Sequence, residues 1–255
     1  MPKALPNPSQ SDNFLAKKSL RDEVYAQLHN RIITGEFSSG EWLRQEEIAN
    51  QLGVSQTPVR EALDRLVAER LAERILYRGV RVPQPSKNEI INAYTTRLLL
   101  EVHLVRLATP AISSEKIGEL FEILKRLEDF ADPLDLSLHR QANKKLHLII
   151  AEASGNALLS NLYSIASNAF PDWMLYERVS KHTVFLPQSL EDEYQQHALI
   201  VQAISNRNID LAVESAVNHL RSISKEMIRF LCTDADVLEV RERQIWPHLN
   251  LGAYE

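Results

Sequence analysis

Apolar residues recur at intervals of three and four along nearly the whole chain, and the places where that rhythm breaks mark its turns. Leu20, Val24, Leu28 and Ile32 follow Ser19 and precede Gly35, so a start signal, an apolar stripe and a stop signal together predict a helix of about 15 residues. After the GEFSSGEWL connection, Gln45 to Leu52 predicts a two-turn helix closed by Gly53. Ser55 offers an oxygen to cap the next helix, and Pro58 falls in that helix's first turn, where a missing N–H costs nothing. In this third helix Val59, Leu63, Leu66 and Val67 share one face and leave Gln56, Thr57, Arg60 and Asp64 on or near the other. The pattern then shortens to strand-like pieces, Arg74 to Tyr77 and Val80 to Val82, around Arg78 and Gly79. Helix, turn, helix and hairpin is the order of a winged helix-turn-helix.

Past a PQPS linker with a boundary near Pro85, Ser86 and Glu89 form a capping box that starts a new helix at Lys87. The apolar rhythm predicts helices over 87–108 (ending before Pro110), 114–131 (before Pro133), 135–153 (ending at Gly155), 157–178 (bent near Pro171), 190–205 and 209–232. No stretch there has strand period. The expected fold is therefore mainly α, a winged helix-turn-helix head over 19–85 and an all-helical bundle over 86–232, with a flexible tail over 1–18 and an extension over 233–255. In the extension Asp236 can cap a short helix through Ile245. Trp246, Leu249, Leu251 and Tyr254 are apolar enough to pack on the bundle or on a dimer partner.

Composition sharpens this. Seven glycines in 255 residues disfavour an all-β fold. The single cysteine, Cys232, can form neither an internal disulfide nor a cysteine zinc cluster, which fits a reducing, cytoplasmic setting and restricts any metal to His, Asp, Glu or Asn donors. No apolar run has the length of a signal peptide or reaches the ~18 residues of a membrane span. The net charge of −5 is uneven: residues 1–86 carry twelve Lys and Arg against eleven Asp and Glu, and the remainder carries seventeen against twenty-three. The head is the half suited to phosphates.

Three sets of residues can carry chemistry. Gln56, Thr57 and Arg60 put donors at the start of the third helix, where base edges and phosphates are within reach, and Arg78 beside Gly79 makes the hairpin tip a minor-groove or backbone probe. An ordinary capped helix with solvated polar residues gives the same local pattern. In the bundle, Asn143 and His147 are four apart on one helix face, with His197 and His219 on two later helices. Imidazoles and an amide oxygen suit Zn²⁺ or Ni²⁺, although buried histidines with hydrogen-bond partners are the commoner use of such spacing. Arg97, on a mainly apolar helix, calls for a partner: an organic carboxylate, or Glu101 one turn on. Trp173, Tyr176 and His103 are further candidates to line a pocket.

The ITGEFSSGEWL connection, EEIANQLGVSQTPVREAL and RGVRV make Val24 to Val82 resemble the DNA-binding domain of the GntR family of bacterial transcription regulators. The bundle motifs YTTRLLLE, NKKLHLIIAEASGN and EYQQHALIVQAISNRNIDLAVESAVNHL resemble, in order, the FCD effector domain of its FadR subfamily. The resemblance implies that Thr57, Arg60 and Gly79 contact operator DNA, that Asn143, His147, His197 and His219 hold a divalent metal, and that Arg97 takes the carboxylate of an organic acid. Two head positions depart from the family: Gln56 and Glu46 stand where cations are usual, and glutamine favours adenine where arginine favours guanine. In the bundle Asn143 replaces the commoner Asp and Leu146 the usual Phe.

The expected function is a ligand-responsive regulator, a homodimer on an inverted-repeat operator, with no enzyme activity and no membrane partner. A metal-dependent enzyme, with Glu152 or Glu193 as base, and a structural metal-binding module are the alternatives. The head speaks against the first, and Arg97 against the second.

Overall fold

A computed structural model describes residues 19–129, 136–181, 186–231 and 233–245. The expectations for the tail over 1–18, Pro133, Cys232 and the apolar residues Trp246, Leu249, Leu251 and Tyr254 lie outside the described residues. The head consists of α1 (Leu20–Ile33), α2 (Gln45–Leu52), α3 (Gln56–Ala68), β1 (Glu73–Ile75) and β2 (Gly79–Arg81). Ser19 caps α1 by accepting from the Asp22 amide. Gly53 closes α2 at φ 66°, the left-handed conformation that glycine reaches without strain. Ser55 occupies the N-cap of α3 but makes no side-chain cap bond. The strands pair antiparallel with Arg74 opposite Val80, and Trp42 adds a bridge to Arg81.

The bundle follows as α4 (Lys87–Ala111), α5 (Ser114–Asp129), α6 (Leu136–Ala153), α7 (Ala157–Ala169), α8 (Asp172–Ser180), α9 (Leu186–Ser205), α10 (Ile209–Leu231) and α11 (Ala235–Ile245). The Ser86–Glu89 capping box is present. Three boundaries differ from the expected ones. Helix α4 runs through Pro110 to Ala111, because the proline lies in the last turn and Arg207 donates to the carbonyls of Thr109 (2.9 Å) and Ile112 (2.5 Å) beyond it. Pro171 separates two helices instead of bending one: Phe170 before it is extended at φ −74°, ψ 121°, as a residue preceding proline prefers. Helix α9 begins four residues early at Leu186, with Pro187 tolerated in its first turn. The short terminal helix is capped by Asp234, whose Oδ1 accepts from the Asp236 and Val237 amides, and not by Asp236.

The main core joins α4, α5, α6, α9 and α10 around residues such as Leu98, Leu146, Val201 and Leu220. A second core fills the head and draws in Leu136, Trp173, Tyr176 and Leu186 from the bundle, so α1 sits directly on α6 and α8. Gly35 permits this approach: at φ 72° it reverses the chain after α1, and a Cβ there would lie 2.6 Å from Glu177 Cγ.

The polar centre of this contact is His29. Its Nδ1 is 2.6 Å from Ser137 Oγ, and its Nε2 accepts from Arg140 Nη1 at 3.3 Å. Arginine has no acceptor, so the proton sits on Nδ1 and is donated to Ser137. Burial, followed by the Arg140 cation, holds the pKa of His29 down to about 3. The unfolded chain binds this proton near pH 6.5 and the folded chain does not, so the stabilisation is complete above pH 6.5 and is lost as pH falls from 6.5 toward 3, at up to about 1.4 kcal/mol per pH unit. The expected result is that His29→Gln flattens the acid limb of a thermal-unfolding series from pH 7 to 4. Equal acid slopes in the two proteins would contradict it.

Candidate effector site and nucleic-acid interface

The head presents its polar residues outward. Packing of Val59, Ala62, Leu63 and Leu66 onto α1 and α2 buries one side of α3 and leaves Gln56, Thr57 and Arg60 exposed on the other. Gln45 donates to both the carbonyl and the side-chain Oε1 of Gln56, at 3.1 and 3.2 Å, so the Gln56 amide is held with its NH₂ free to donate. The hairpin tip is Leu76-Tyr77-Arg78, with Gly79 opening β2 at φ 116°. Of the three wing arginines, Arg74 is paired with Asp64 and Arg81 with Glu73, whereas Arg78 and Arg60 have no ion pair among the described residues. Tyr77 at φ 62° is 98% exposed and Leu76 75% exposed, an apolar tip that the alternation of the wing gave no reason to single out.

In the bundle, α6, α9 and α10 bring His147, His197 and His219 together. One ring nitrogen from each lies within 4.8 Å of the others, and His147 Nε2 is 3.0 Å from His197 Nε2. All three rings are buried. Their neighbours indicate the tautomers of two: His147 Nδ1 faces Glu101 Oε1, a carboxylate oxygen that can only accept, at 2.8 Å, and His219 Nδ1 donates to Gln196 Oε1 at 2.9 Å. Each therefore directs an unprotonated Nε2 to the centre. Burial, followed by His147, lowers the pKa of His219 to about 3, and burial with both neighbours lowers His197 strongly. Both are the neutral bases that a metal requires.

Asn143 lies one turn before His147 on α6 and lines the same cavity. Its Nδ2 donates to Tyr176 Oη at 3.1 Å and to Glu193, which fixes the amide so that Oδ1 is left over. That oxygen and His219 Nε2 are buried with no hydrogen-bond partner. Unsatisfied buried donors and acceptors are costly, and a cation in contact with both removes the cost. Three imidazoles and an amide oxygen are also a donor set suited to zinc or nickel, so the residues present fit such an ion.

Arg97 meets both of the partners open to it. Its Nε donates to Glu101 Oε2 at 2.8 Å, and the residue also lines a cavity of about 90 Å³ with Asn143, His147 and His219. Burial disfavours the guanidinium, but Glu101 outweighs it and Arg97 stays charged; burial likewise opposes the Glu101 anion, but Arg97 and then His147 hold its pKa far below the usual range. Tyr163 Oη donates to the same carboxylate at 3.1 Å. Glu101 thus ties the arginine to the histidines, a role that its spacing from Arg97 hinted at only in part. Across the cavity, burial and then Glu226 push the Glu193 carboxyl up to about 8.

The other lining expectations divide. Tyr176 lines the cavity, Trp173 instead packs into the head core, and His103 is exposed on α4. Glu152 is exposed and pairs with Lys116 at 3.3 Å, outside the cavity, whereas Glu193 lines it. Sequence reasoning did not reach Gln196, Lys144, Asp172 or Glu226; the signal for Lys144 and Glu226 is position, one turn before His147 and two turns after His219, while Gln196 directly precedes His197 and Asp172 directly follows Pro171.

Residues 20–82 match the family described as bacterial regulatory proteins, gntR family, and residues 92–222 match the FCD domain. The chain belongs to the GntR family and carries a C-terminal FCD domain; it is a DNA-binding transcriptional regulator and not an enzyme. Relatives include the HTH-type transcriptional repressor NanR of Salmonella newport, 30% identical over 229 residues that span 82% of this chain and 86% of that protein. The protein of the same name from Salmonella arizonae is also 30% identical, over 82% of this chain and 85% of its own. Among solved structures, E. coli McbR/YncC superposes with a TM-score of 0.61 at 22% identity, covering 83% of this chain and 99% of that one. A putative GntR regulator from Rhodococcus sp. RHA1 gives 0.58 at 21%, covering 82% and 97%. At these identities the structures establish the fold alone. No helix among the described residues is long and apolar enough to cross a membrane.

Proposed function

We propose that this chain is a FadR-subfamily regulator that binds an inverted-repeat operator as a cytoplasmic homodimer. Its operator affinity is set by a small organic acid held between a divalent ion, zinc or nickel, and Arg97. The observation that carries this reading is the convergence of unpartnered buried atoms, Asn143 Oδ1 and His219 Nε2 beside His147 and His197, on a cavity that Arg97 also lines. When bound, the ion supplies a Lewis-acid seat for a carboxylate oxygen. The chain's own residues do the rest: Glu101 and Gln196 hold two imidazoles in the ligating tautomer, Glu193 and Tyr176 turn the Asn143 amide, and Arg97 offers the N–H groups that Glu101 leaves free. Because Asn143 is neutral, the ion should be held less tightly than by an aspartate at this position.

Control of the head has a physical route in the packing. Asp172 lines the cavity and accepts from Arg140 at 2.7 Å, Arg140 donates to His29 on α1, and α1 carries α3. A ligand that repositions α8 therefore shifts the element on which the DNA-reading helix rests. Gln56, Thr57 and Arg60 then read base edges and phosphates, and Arg78 with Gly79 probes the neighbouring groove or backbone. The named relatives are repressors, and release of repression by the acid is the form proposed here.

Metal analysis tests the site. Protein purified without chelator, or reconstituted, is expected to hold about one ion per chain, in keeping with the single His147–His197–His219 cluster among the described residues. Absence of bound metal after reconstitution would remove the site.

A further inference from the structure

The wing ends in two apolar residues that no other part of the chain covers. Leu76 and Tyr77 form the tip of the hairpin, 75% and 98% exposed, and Arg78 beside them has no ion pair among the described residues. A lone apolar residue on a surface is ordinary, but two in succession at a loop tip stand where small polar residues serve the turn better. The backbone adds a second observation. The Arg78 N–H donates to the Ile75 carbonyl at 3.0 Å and closes a turn in which Tyr77 holds the third position at φ 62°. Glycine or asparagine usually takes a position of this kind, because a bulky side chain is strained in the left-handed region. The other non-glycine residues with positive φ among the described residues, Arg70 and Arg207, follow the ends of α3 and α9, where that conformation closes a helix. Tyr77 instead holds an aromatic ring in solvent at a cost in backbone strain, and such strain gathers at functional sites.

The wing is fastened beside the DNA-reading helix. Arg74 of β1 pairs with Asp64, which lies on α3 one turn past Arg60. Leu76 follows Arg74 by two residues, roughly 7 Å of strand, so the tip starts close to the exposed side of α3. With α3 in a major groove, a tip placed there meets the neighbouring minor groove. That groove is roughly 6 Å wide and the strands of a hairpin are about 4.8 Å apart, so side chains of the tip enter it and the strands do not. The approach is open, since a Cβ at Gly79 would meet no atom within 4 Å.

We propose that the wing tip is a wedge that kinks the operator: Tyr77 enters a base step from the minor groove next to each α3 site, and Leu76 lies against the sugars beside it. This goes beyond the groove contact read for Arg78 and Gly79, and it rests on the reading that α3 faces the major groove. Apolar side chains inserted from the minor groove part the bases of a step and bend the duplex toward the major groove. An aromatic face stacks on the opened base, which gives the ring the contact area it lacks in the free chain. DNA is the occupant because the tip continues the DNA-facing side of the head and carries an unpaired cation. The step is expected to be pyrimidine–purine, TA or CA, since these unstack most readily. Each half-site then carries specificity at a step where no base edge is read.

The test uses a duplex that the full chain selects from a random-sequence pool, labelled at each position in turn with a base analogue that brightens on unstacking. Binding of the parent is expected to brighten one step in each half-site. Tyr77→Gly is expected to abolish that signal and to weaken binding roughly 5- to 150-fold per half-site, the range for stacking on one base. The slope of log affinity against log salt should stay unchanged, because a neutral ring releases no counterions. Glycine suits φ 62°, so the variant should unfold no earlier than the parent, and Tyr77→Phe should keep the signal. A parent complex with no brightened step overturns the wedge even if no variant folds, and it spares the α3 reading where Arg60→Ala still weakens binding. A step that brightens equally with Tyr77→Gly also overturns it. So does a Tyr77→Gly chain that binds as tightly as the parent but assembles differently, which would assign the tip to a contact between copies.

Discussion

Replacing Arg60 with alanine is expected to weaken operator binding by about 1–3 kcal/mol at each half-site, and a dimer engaging two half-sites loses roughly twice that. The chain has little to compensate with. Arg74 and Arg81, which lie close by in the sequence of the wing, are occupied by Asp64 and Glu73, so Arg60 and Arg78 are the cations free to meet DNA among the residues considered for it. Arg60 is exposed and supports no packing, so the variant should unfold at the same temperature as the parent. Gln56→Arg separates readout from simple charge. The amide held by Gln45 favours adenine, and the arginine variant is expected to shift selected operators toward guanine at the position it reads. Anisotropy titrations at fixed salt check both variants. An Arg60→Ala protein that binds as tightly as the parent, or a Gln56→Arg protein with unaltered base preference, would contradict this assignment of the interface.

The second large effect is at the histidines. His219→Gln keeps a polar side chain of similar size but removes the unprotonated nitrogen that faces the centre. Metal affinity is expected to fall by at least the 10- to 100-fold that loss of an outer-shell partner causes, and the response of operator affinity to any acid should go with it. Glu101→Gln is the milder counterpart, since it disturbs the tautomer of His147 and the partner of Arg97 without removing a ligand. Operator binding in the absence of acid should survive in both, because the DNA-reading residues lie on α3 and the wing whereas Glu101 and His219 lie on α4 and α10 of the bundle. An unchanged metal content in His219→Gln would show that the ring is a hydrogen-bonded core histidine.

Much of this architecture is legible in local signals. Ser19, Gly53, Pro58 and the Ser86–Glu89 box act within a few residues of themselves, so the head helices and the start of the bundle can be read from spacing alone. What escapes is set by distant partners. The last turn of α4 survives Pro110 because Arg207, 95–98 residues later, satisfies the carbonyls around it. His29 reads as an ordinary helix residue until Ser137 and Arg140 arrive 108 and 111 residues on. The site shows the same division. Asn143, His147, His197, His219 and Arg97 are reached through helical spacing and family motifs. Which atom of each faces inward depends on Glu101, Gln196, Glu193 and Tyr176, whose approach is a matter of tertiary packing. Even at Arg97 the ion pair with Glu101 and the cavity wall coexist, an outcome that the linear pattern posed as a choice.

The central claim is that occupancy of the bundle site sets operator affinity, and reciprocally that operator binding changes affinity for the acid. Operator titrations at one salt concentration, on metal-loaded and metal-stripped protein with and without a bound acid, test it most directly. The account predicts a shift of about 5- to 150-fold on adding the acid to the loaded protein and none in the stripped protein. The same operator affinity in all four states, with the acid shown to be bound, would contradict it.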